Sequence, residues 1–358
     1  MNDRPPELLL GRGSRLLDRI YETFPREPEK VSAVMTDLLQ ELCQVRREMP
    51  GDQWKQFCEE VVPKHGLAEL IQEDPFTQHS ASKPRGYPGD AMLLDYIYGY
   101  RRPETTHVGR SIFDFTTNTP PSRAVRERAR IIAGIIDRLA ARRKELRILS
   151  IACGHLREAE MSQTFQDGRV AEYVAFDQDL ESLAHVRERF NGKNVRTIRG
   201  TVGEMLLGRL RNLGQFDFVY AAGLYDYLPQ KLATRLTTWM FNTTRDGGIT
   251  LLTNFLPDTA GIGYMEAFMK WELIYRSAEE LLATAKRIPA HRIADQKVYE
   301  EKNGMVVFAE LHKTGQSLPI PDTFIQPVGS PPFAGSQTGR NGAKHNGHNG
   351  HNGQKSAS

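Results

Sequence analysis

The residues whose types and spacing could do chemistry are Cys153-Gly154, Glu158 four positions on, and Asp177 just over twenty positions later. Gly154 lets the backbone press against a ligand with no side chain between. Asp177 offers a carboxylate that can accept hydrogen bonds from two vicinal hydroxyls. Apolar runs, Ile148–Ala152 and Tyr173–Phe176, lead into the two groups, so each stands at the end of a buried strand. The order of strand, tight turn, helix, strand and acid points to an adenosine pocket.

The turn decides which adenosine ligand fits. A dinucleotide site uses G-x-G-x-x-G so that a pyrophosphate can rest on exposed amides. Here Ala152-Cys153-Gly154 runs into His155, Leu156, Arg157 and Glu158, placing bulk and negative charge where a diphosphate needs room. A phosphate ligand is disfavoured. The segment resembles the first motif of class I S-adenosylmethionine (SAM) dependent methyltransferases, in the subset written C-G-P-x-x-E, with His155 replacing the proline. That resemblance implies an α/β fold, a Rossmann-like seven-stranded methyltransferase sheet with an antiparallel last strand, and SAM as cofactor. It also implies sites. Ala152, Cys153 and Gly154 would approach the methionine moiety, with Asp177 and Gln178 at the ribose. Thr201 and Val202 would stand beside the adenine, where the class often has Asp or Asn, and Ala221, Ala222 and Gly223 where the cofactor passes.

Structural readings stand beside these. Asp177 can cap the helix that begins at Leu180, and both uses are compatible. Cys153 reads as a buried filler, not a nucleophile, and His155 as structural or exposed. No metal is expected. Cys43, Cys58 and Cys153 are an odd count without C-x-x-C spacing, which points to free thiols in a reducing, cytoplasmic setting.

Methyl transfer from a sulfonium is an in-line displacement whose electrophile the cofactor supplies. Alignment alone can account for about 7–11 kcal/mol of barrier. A carboxylate acceptor is already ionised, whereas a phenol, amine or alcohol benefits from a base. No His/Asp pair stands in the acceptor segments, which favours an acceptor that needs orientation more than deprotonation. Two segments, Lys83–Asp90 and Trp271–Ser277, join aromatic groups with arginine, a pairing suited to an anion with an apolar body. Together K-P-R-G-Y-x-G-D, C-G-x-x-x-E and W-x-x-x-Y-R resemble bacterial proteins of 3-hydroxypalmitic acid methyl ester biosynthesis, from Lys83 to Arg276 and beyond. The resemblance implies O-methylation of a small or fatty carboxylic acid. Arg85 or Arg276 would hold the carboxylate, with Tyr87, Tyr225, Trp271 and Tyr275 lining the acceptor side. Other readings stay open: Trp271 and Tyr275, four apart, also fit a helix packing stripe, and Arg85–Asp90 fits a turn with an internal Arg/Asp pair. A methyltransferase for a phenol, amine or RNA is an alternative function, as is a non-catalytic SAM-binding sensor or scaffold.

These groups need a scaffold, and 358 residues can hold one large or two modest domains. Residues 1–118 read as a helical lid and substrate region. Val34, Met35, Leu38, Leu42 and Val45 recur at helical spacing, a second helix spans Trp54–Val62, and Gln72–Gly89 reads as a loop because it is crowded with turn formers. Residues 119–313 read as the methyltransferase domain, with strands at 147–152, 171–176, 194–199, 215–221 and 247–254. Helices include Leu180–Phe190, Gln230–Phe241 and Tyr264–Tyr275, and Asn303-Gly304 turns a final hairpin. A helix opening at Thr119-Pro120-Pro121 buries Val125, Ile132, Ile135, Ile136 and Leu139. Its arginines fall mostly on the solvated face, which disfavours a nucleic-acid groove. Residues 314–358, rich in Pro, Gly, Asn and His, cannot form a core and read as a disordered tail. The net charge of +3 is small, and neither a signal peptide nor a membrane-spanning run is expected.

Overall fold

Short apolar runs flanked by charges and turn formers bury both faces only within the middle of a sheet. The computed structural model of the protein describes residues 6–25, 27–210 and 212–315. Its strands are β1 (Leu146–Ile151), β2 (Val170–Asp177), β3 (Val195–Arg199), β4 (Phe216–Ala221), β5 (Thr244–Phe255), β6 (Ile293–Glu300) and β7 (Val306–Lys313). They form one seven-stranded sheet in the order β3-β2-β1-β4-β5-β7-β6. The first five are parallel, β7 runs antiparallel to β5, and β6 antiparallel to β7. The expected sheet with an antiparallel last strand is therefore present. β5 starts earlier than the apolar run indicates, because Thr244 pairs with Phe216 across an irregularity in register.

The chain builds outward from β1 to β2 and β3, then returns to lay β4 on the other side of β1. Strand order reverses between β1 and β4, which opens a crevice at their carboxyl ends. The loops after β1, β2, β3 and β4 all emerge on that edge.

Helices cover the sheet. Pro28–Glu48, Ala91–Tyr98, His107–Thr116 and Pro120–Ala140 contribute Leu38, Ile97, Ile112 and Ile132 to the same apolar cluster as Ile148 of β1 and Phe308 of β7. The described residues lie within one unit, Met1–Thr323; a second unit, Phe324–Ser358, and the reading of a tail beyond residue 315 lie outside them. Among the described residues no helix is long and apolar enough to cross a membrane.

Pro6–Thr23 is a helix within the region read as helical. Two segments differ from the sequence reading. Within Gln72–Gly89, Pro75–Ser82 is also a helix: Asp74 accepts from the amides of Phe76 and Thr77, Pro75 occupies the first turn, and left-handed Lys83 ends it. The helix over Tyr264–Tyr275 is short, Ile262–Ala267. Lys270 is left-handed, and the amides of Ile274 and Arg276 donate to the carbonyls of Asp226 and Phe255.

Candidate functional site

The bend after β1 sets the floor of the crevice. Ala152, Gly154 and Leu156 have φ of +53°, +52° and +55°, a region costly for residues with a Cβ. Two such non-glycine residues store about 1–3 kcal/mol each. The bend is tied to β2: the Cys153 amide donates to the Phe176 carbonyl at 3.1 Å, and the Gly154 amide to Asp177 Oδ2 at 2.8 Å. A Cβ at Gly154 would stand 3.2 Å from that of Ala91.

Asp177 is 5% exposed and takes a second bond from the Asp179 amide, 2.9 Å. It does not cap the following helix. Asp179 does, accepting from the Glu181 amide. Burial pushes the Asp177 carboxyl up, against the two backbone bonds that favour its charge.

A cavity of about 280 Å³ fills this edge, and it brings together Ala152, Cys153, Gly154, Asp177, Gln178, Val202, Ala222 and Gly223. Two predicted residues are elsewhere. Thr201 forms a capping box with Glu204, so its neighbours Gly200 and Val202 supply the wall. Ala221 is fully buried inside β4.

The cavity also holds side chains that the motifs did not mark. Arg128, on the helix Pro120–Ala140, lines it at 5% exposure, hydrogen-bonded to Tyr98 and acting on the charge of Glu158. A Cβ on Gly223 would meet its guanidinium at 3.4 Å. Position 128 lies three after Val125 and four before Ile132, on the buried stripe; that spacing was the available signal. Glu158 is equally buried and accepts from the hydroxyl of Tyr220, which in turn meets Tyr173. Burial pushes its carboxyl up.

Arg85 faces the helix after β2, not the cavity. Its Nη1 donates to Asp179 Oδ2 at 2.6 Å and Ser182 Oγ at 3.0 Å, and its Nη2 pairs with Glu181. The turn's Asp90 instead pairs with His79 at 2.8 Å and caps the helix Ala91–Tyr98. These two anchors carry Tyr87 and Gly89 into the cavity wall.

Arg276 is a correction. It is 2% exposed, and its guanidinium donates to Gln230 Oε1, the Tyr225 carbonyl, Asn254 Oδ1 and the Leu228 carbonyl. Four of its five N–H groups are held by the protein and it is not part of the cavity wall, so it does not serve as a grip for an acid there. Tyr225 is fully buried, its hydroxyl on Thr237 Oγ1 at 2.7 Å, and Tyr275 lies outside the cavity wall. Trp271 does approach the site. Its Nε1 donates to the Tyr227 hydroxyl at 2.8 Å, which leaves the Tyr227 proton free to donate elsewhere. Burial raises that phenol, which keeps it a donor. A Cβ at Gly89 would come within 2.5 Å of the Tyr227 hydroxyl and 2.6 Å of the Trp271 ring. The glycine is what permits this closure.

His155 is buried, with Nδ1 on Asp95 Oδ2 at 2.9 Å. Its Nε2 is sealed without a partner against the His185 ring, 4.2 Å between centroids. Asp95, His155 and His185 bring ligand atoms within 4.8 Å of one another. Both Asp95 oxygens, however, hold Arg157 at 2.7 Å, so a cation would meet a fixed guanidinium. Burial opposes the Asp95 charge, but the bonds from His155 and Arg157 outweigh it and hold the carboxyl at about 2. Burial also pushes the Cys153 thiol well up, which removes it as a nucleophile.

No family model matches the chain, and no curated protein matches it. Solved structures do. A possible exported protein from Bordetella parapertussis aligns over 87% of this chain and 98% of its own, at 13% identity and a TM-score of 0.53. The magnesium protoporphyrin IX methyltransferase ChlM of Synechocystis PCC 6803, with bound S-adenosylhomocysteine (SAH), covers 66% of this chain and 100% of its own, at 12% identity and a TM-score of 0.44. The N-methyltransferase NodS of Bradyrhizobium japonicum WM9 covers 52% and 86%, at 11% identity and a TM-score of 0.37. The chain thus has the mixed α/β, Rossmann-like fold with seven strands and an antiparallel end.

Proposed function

We propose that the protein is a SAM-dependent methyltransferase that converts a small or fatty carboxylic acid to its methyl ester. The observation that carries this reading is the charge layout of one cavity at the switch point. A buried acid, Asp177, lines it, as does the buried pair Arg128 and Glu158, of which the arginine acts on the charge of the acid. A ribose diol fits the first, and an α-amino acid zwitterion fits the second, its carboxylate on Arg128 and its ammonium on Glu158. Gly200 and Val202 flank the space for a base. When bound, SAM supplies an activated methyl group.

The chain's own residues then bind, orient and exclude water. Residues 1–118 act as a covering region, since Tyr87, Gly89, Ala91, Leu94 and Tyr98 close the cavity from that side. Tyr87 and Tyr227 present phenols, neutral donors that can aim a carboxylate without the tight ion pair that would blunt its nucleophilicity. A carboxylate needs no base, and the His155–Asp95 pair at the cavity wall has its outer nitrogen sealed.

Single-turnover assay with methyl-labelled SAM against acids, phenols and amines tests the reading. Label transfer to an acid, as a base-labile ester, is the expected result. Transfer only to phenols or amines would overturn the acceptor, and tight SAM binding with no transfer would mark a sensor.

A further inference from the structure

We infer that Tyr220 is a positioning residue: together with Tyr173 it holds Glu158 as a carboxylate anion, and that fixed charge makes the cofactor-sized cavity select a ligand that carries an ammonium group. This rests on the SAM reading above and not on the identity of the acceptor. Three adjacent strands place the parts. Ser150 of β1 is in register with Tyr220 of β4, and Tyr173 of β2 reaches Tyr220 from the other side of β1. Paired residues on neighbouring strands share a face of the sheet. The Tyr173 and Tyr220 hydroxyls meet, Ser150 also bonds to the Tyr220 oxygen, and Tyr220 donates to Glu158 Oε1. Both tyrosines are fully buried and stand behind the cavity wall. Glu158, at the start of the short helix Arg157–Met161, lines the cavity itself.

The protons of this chain can be counted. A phenol has one proton to donate and two lone pairs with which to accept. With Glu158 charged, Tyr173 and Ser150 donate to Tyr220, Tyr220 donates to Glu158, and every proton is spent. A neutral Glu158 has two places for its own proton. On Oε1 it would turn the Tyr220 proton back on Tyr173, whose proton then has no acceptor among the described residues. On Oε2 it would face Arg128 and Arg157, the charged groups that act on Glu158, and both are donors only. Either way a buried donor is left unsatisfied, which penalises the neutral acid. Burial pushes the Glu158 carboxyl up, and the Tyr220 bond and the two guanidinium groups work against it. The remaining titratable groups coupled to Glu158 are Tyr98 on the covering side and Cys153 in the bend. Because the donors in the chain are neutral phenols, the charge they hold stays available. Arg157 is committed to Asp95 and Glu160, so a ligand ammonium is the matching donor, with the ligand carboxylate on Arg128.

The test is calorimetric titration of three ligands: SAH, its decarboxylated analogue, which keeps the ammonium, and 5′-methylthioadenosine, which has neither charged group. Each is titrated into the wild type and into Tyr220→Phe, Tyr173→Phe and Glu158→Gln from about pH 5 to 7, below the range in which an α-amino group loses its proton. Tyr220→Phe should weaken SAH and the decarboxylated analogue about tenfold or more and leave 5′-methylthioadenosine at wild-type affinity. Without its donor the Glu158 carboxyl rises further, so the charged form gives way at a higher pH and the loss deepens as pH falls. Tyr173→Phe, one bond further from the cavity, shows the same pattern at smaller amplitude and carries the test if Tyr220→Phe does not fold. In Glu158→Gln that pH dependence is gone, and adding Tyr220→Phe to it weakens neither amino ligand further. Equal losses for all three ligands in the tyrosine variants make the chain structural and overturn the inference, as does SAH binding unchanged in affinity and pH profile. Either result leaves the cofactor assignment standing, whereas a wild type that binds none of the three ligands overturns both.

Discussion

Replacing Arg128 by Gln separates the amino-acid end of the cofactor from its nucleoside end. The guanidinium is buried in the cavity wall, bonded to Tyr98 and close against Gly223. A ligand carboxylate bound there is a desolvated, charge-assisted contact, and truncating one partner of such a pair costs about 2–5 kcal/mol. At 1.4 kcal/mol per decade, SAH affinity should fall by roughly thirtyfold to a few thousandfold. Arg128 also acts on the buried carboxyls of Glu158 and Asp226, so its loss can loosen packing as well. The control is 5′-methylthioadenosine, which carries the nucleoside and the sulfur but no amino acid. Calorimetry on both ligands should show the SAH loss alone, with 5′-methylthioadenosine binding unchanged. Equal losses would make Arg128 a structural residue, and no loss in either would remove it from the site.

Arg276→Gln should lower stability by about 2–5 kcal/mol, since three buried acceptors, the Tyr225 and Leu228 carbonyls and Asn254 Oδ1, lose their donor, and should leave the SAH affinity of the folded protein unchanged; a selective loss of acceptor binding would restore its anion-gripping role. Gly89→Ala places a methyl against Tyr227 and Trp271, so acceptor affinity should fall at least tenfold while SAH binding holds, and parallel losses would contradict the assignment of that wall. Burial pushes the Asp74 and Asp226 carboxyls each up to about 6, from an ordinary value of 3.8. A raised carboxyl binds a proton in the folded state that the unfolded chain has released, so its stabilisation is full below about pH 4 and lost as pH rises through 6. The effect is on the order of 3 kcal/mol per group. Thermal melts should therefore weaken from pH 4 to 6, and Asp226→Asn should flatten part of that slope; an unchanged slope would refute it. Asp95, held at about 2, acts in the opposite sense below pH 4.

What the sequence revealed follows from how local each signal is. The strands around Ile148, Val174 and Val219 are continuous apolar runs, and the ends of β1 and β2 carry their own glycine and acid, so sheet and bend were both legible. Pro75–Ser82 was hidden because a proline in a first turn and serines in a short helix look like a loop until the Asp74 cap is seen. Trp271 and Tyr275 have helical spacing, but the backbone there bonds to Asp226 and Phe255, a long-range partner that no window of sequence contains. Arg85 and Arg276 carry a charge whose partners, Asp179 and the carbonyls of Tyr225 and Leu228, are set only by the fold. Arg128 was masked by its neighbours: among many arginines on one helix, the one on the buried stripe matters, and only the period against Val125 and Ile132 marks it.

The most direct measurement is calorimetric titration of SAM and SAH into the purified protein and its Asp177→Ala variant. One site per chain, weakened by about 1–3 kcal/mol when the ribose acceptor is lost, is the predicted result. No heat with either ligand, or binding indifferent to Asp177, would contradict the assignment of this cavity to the cofactor.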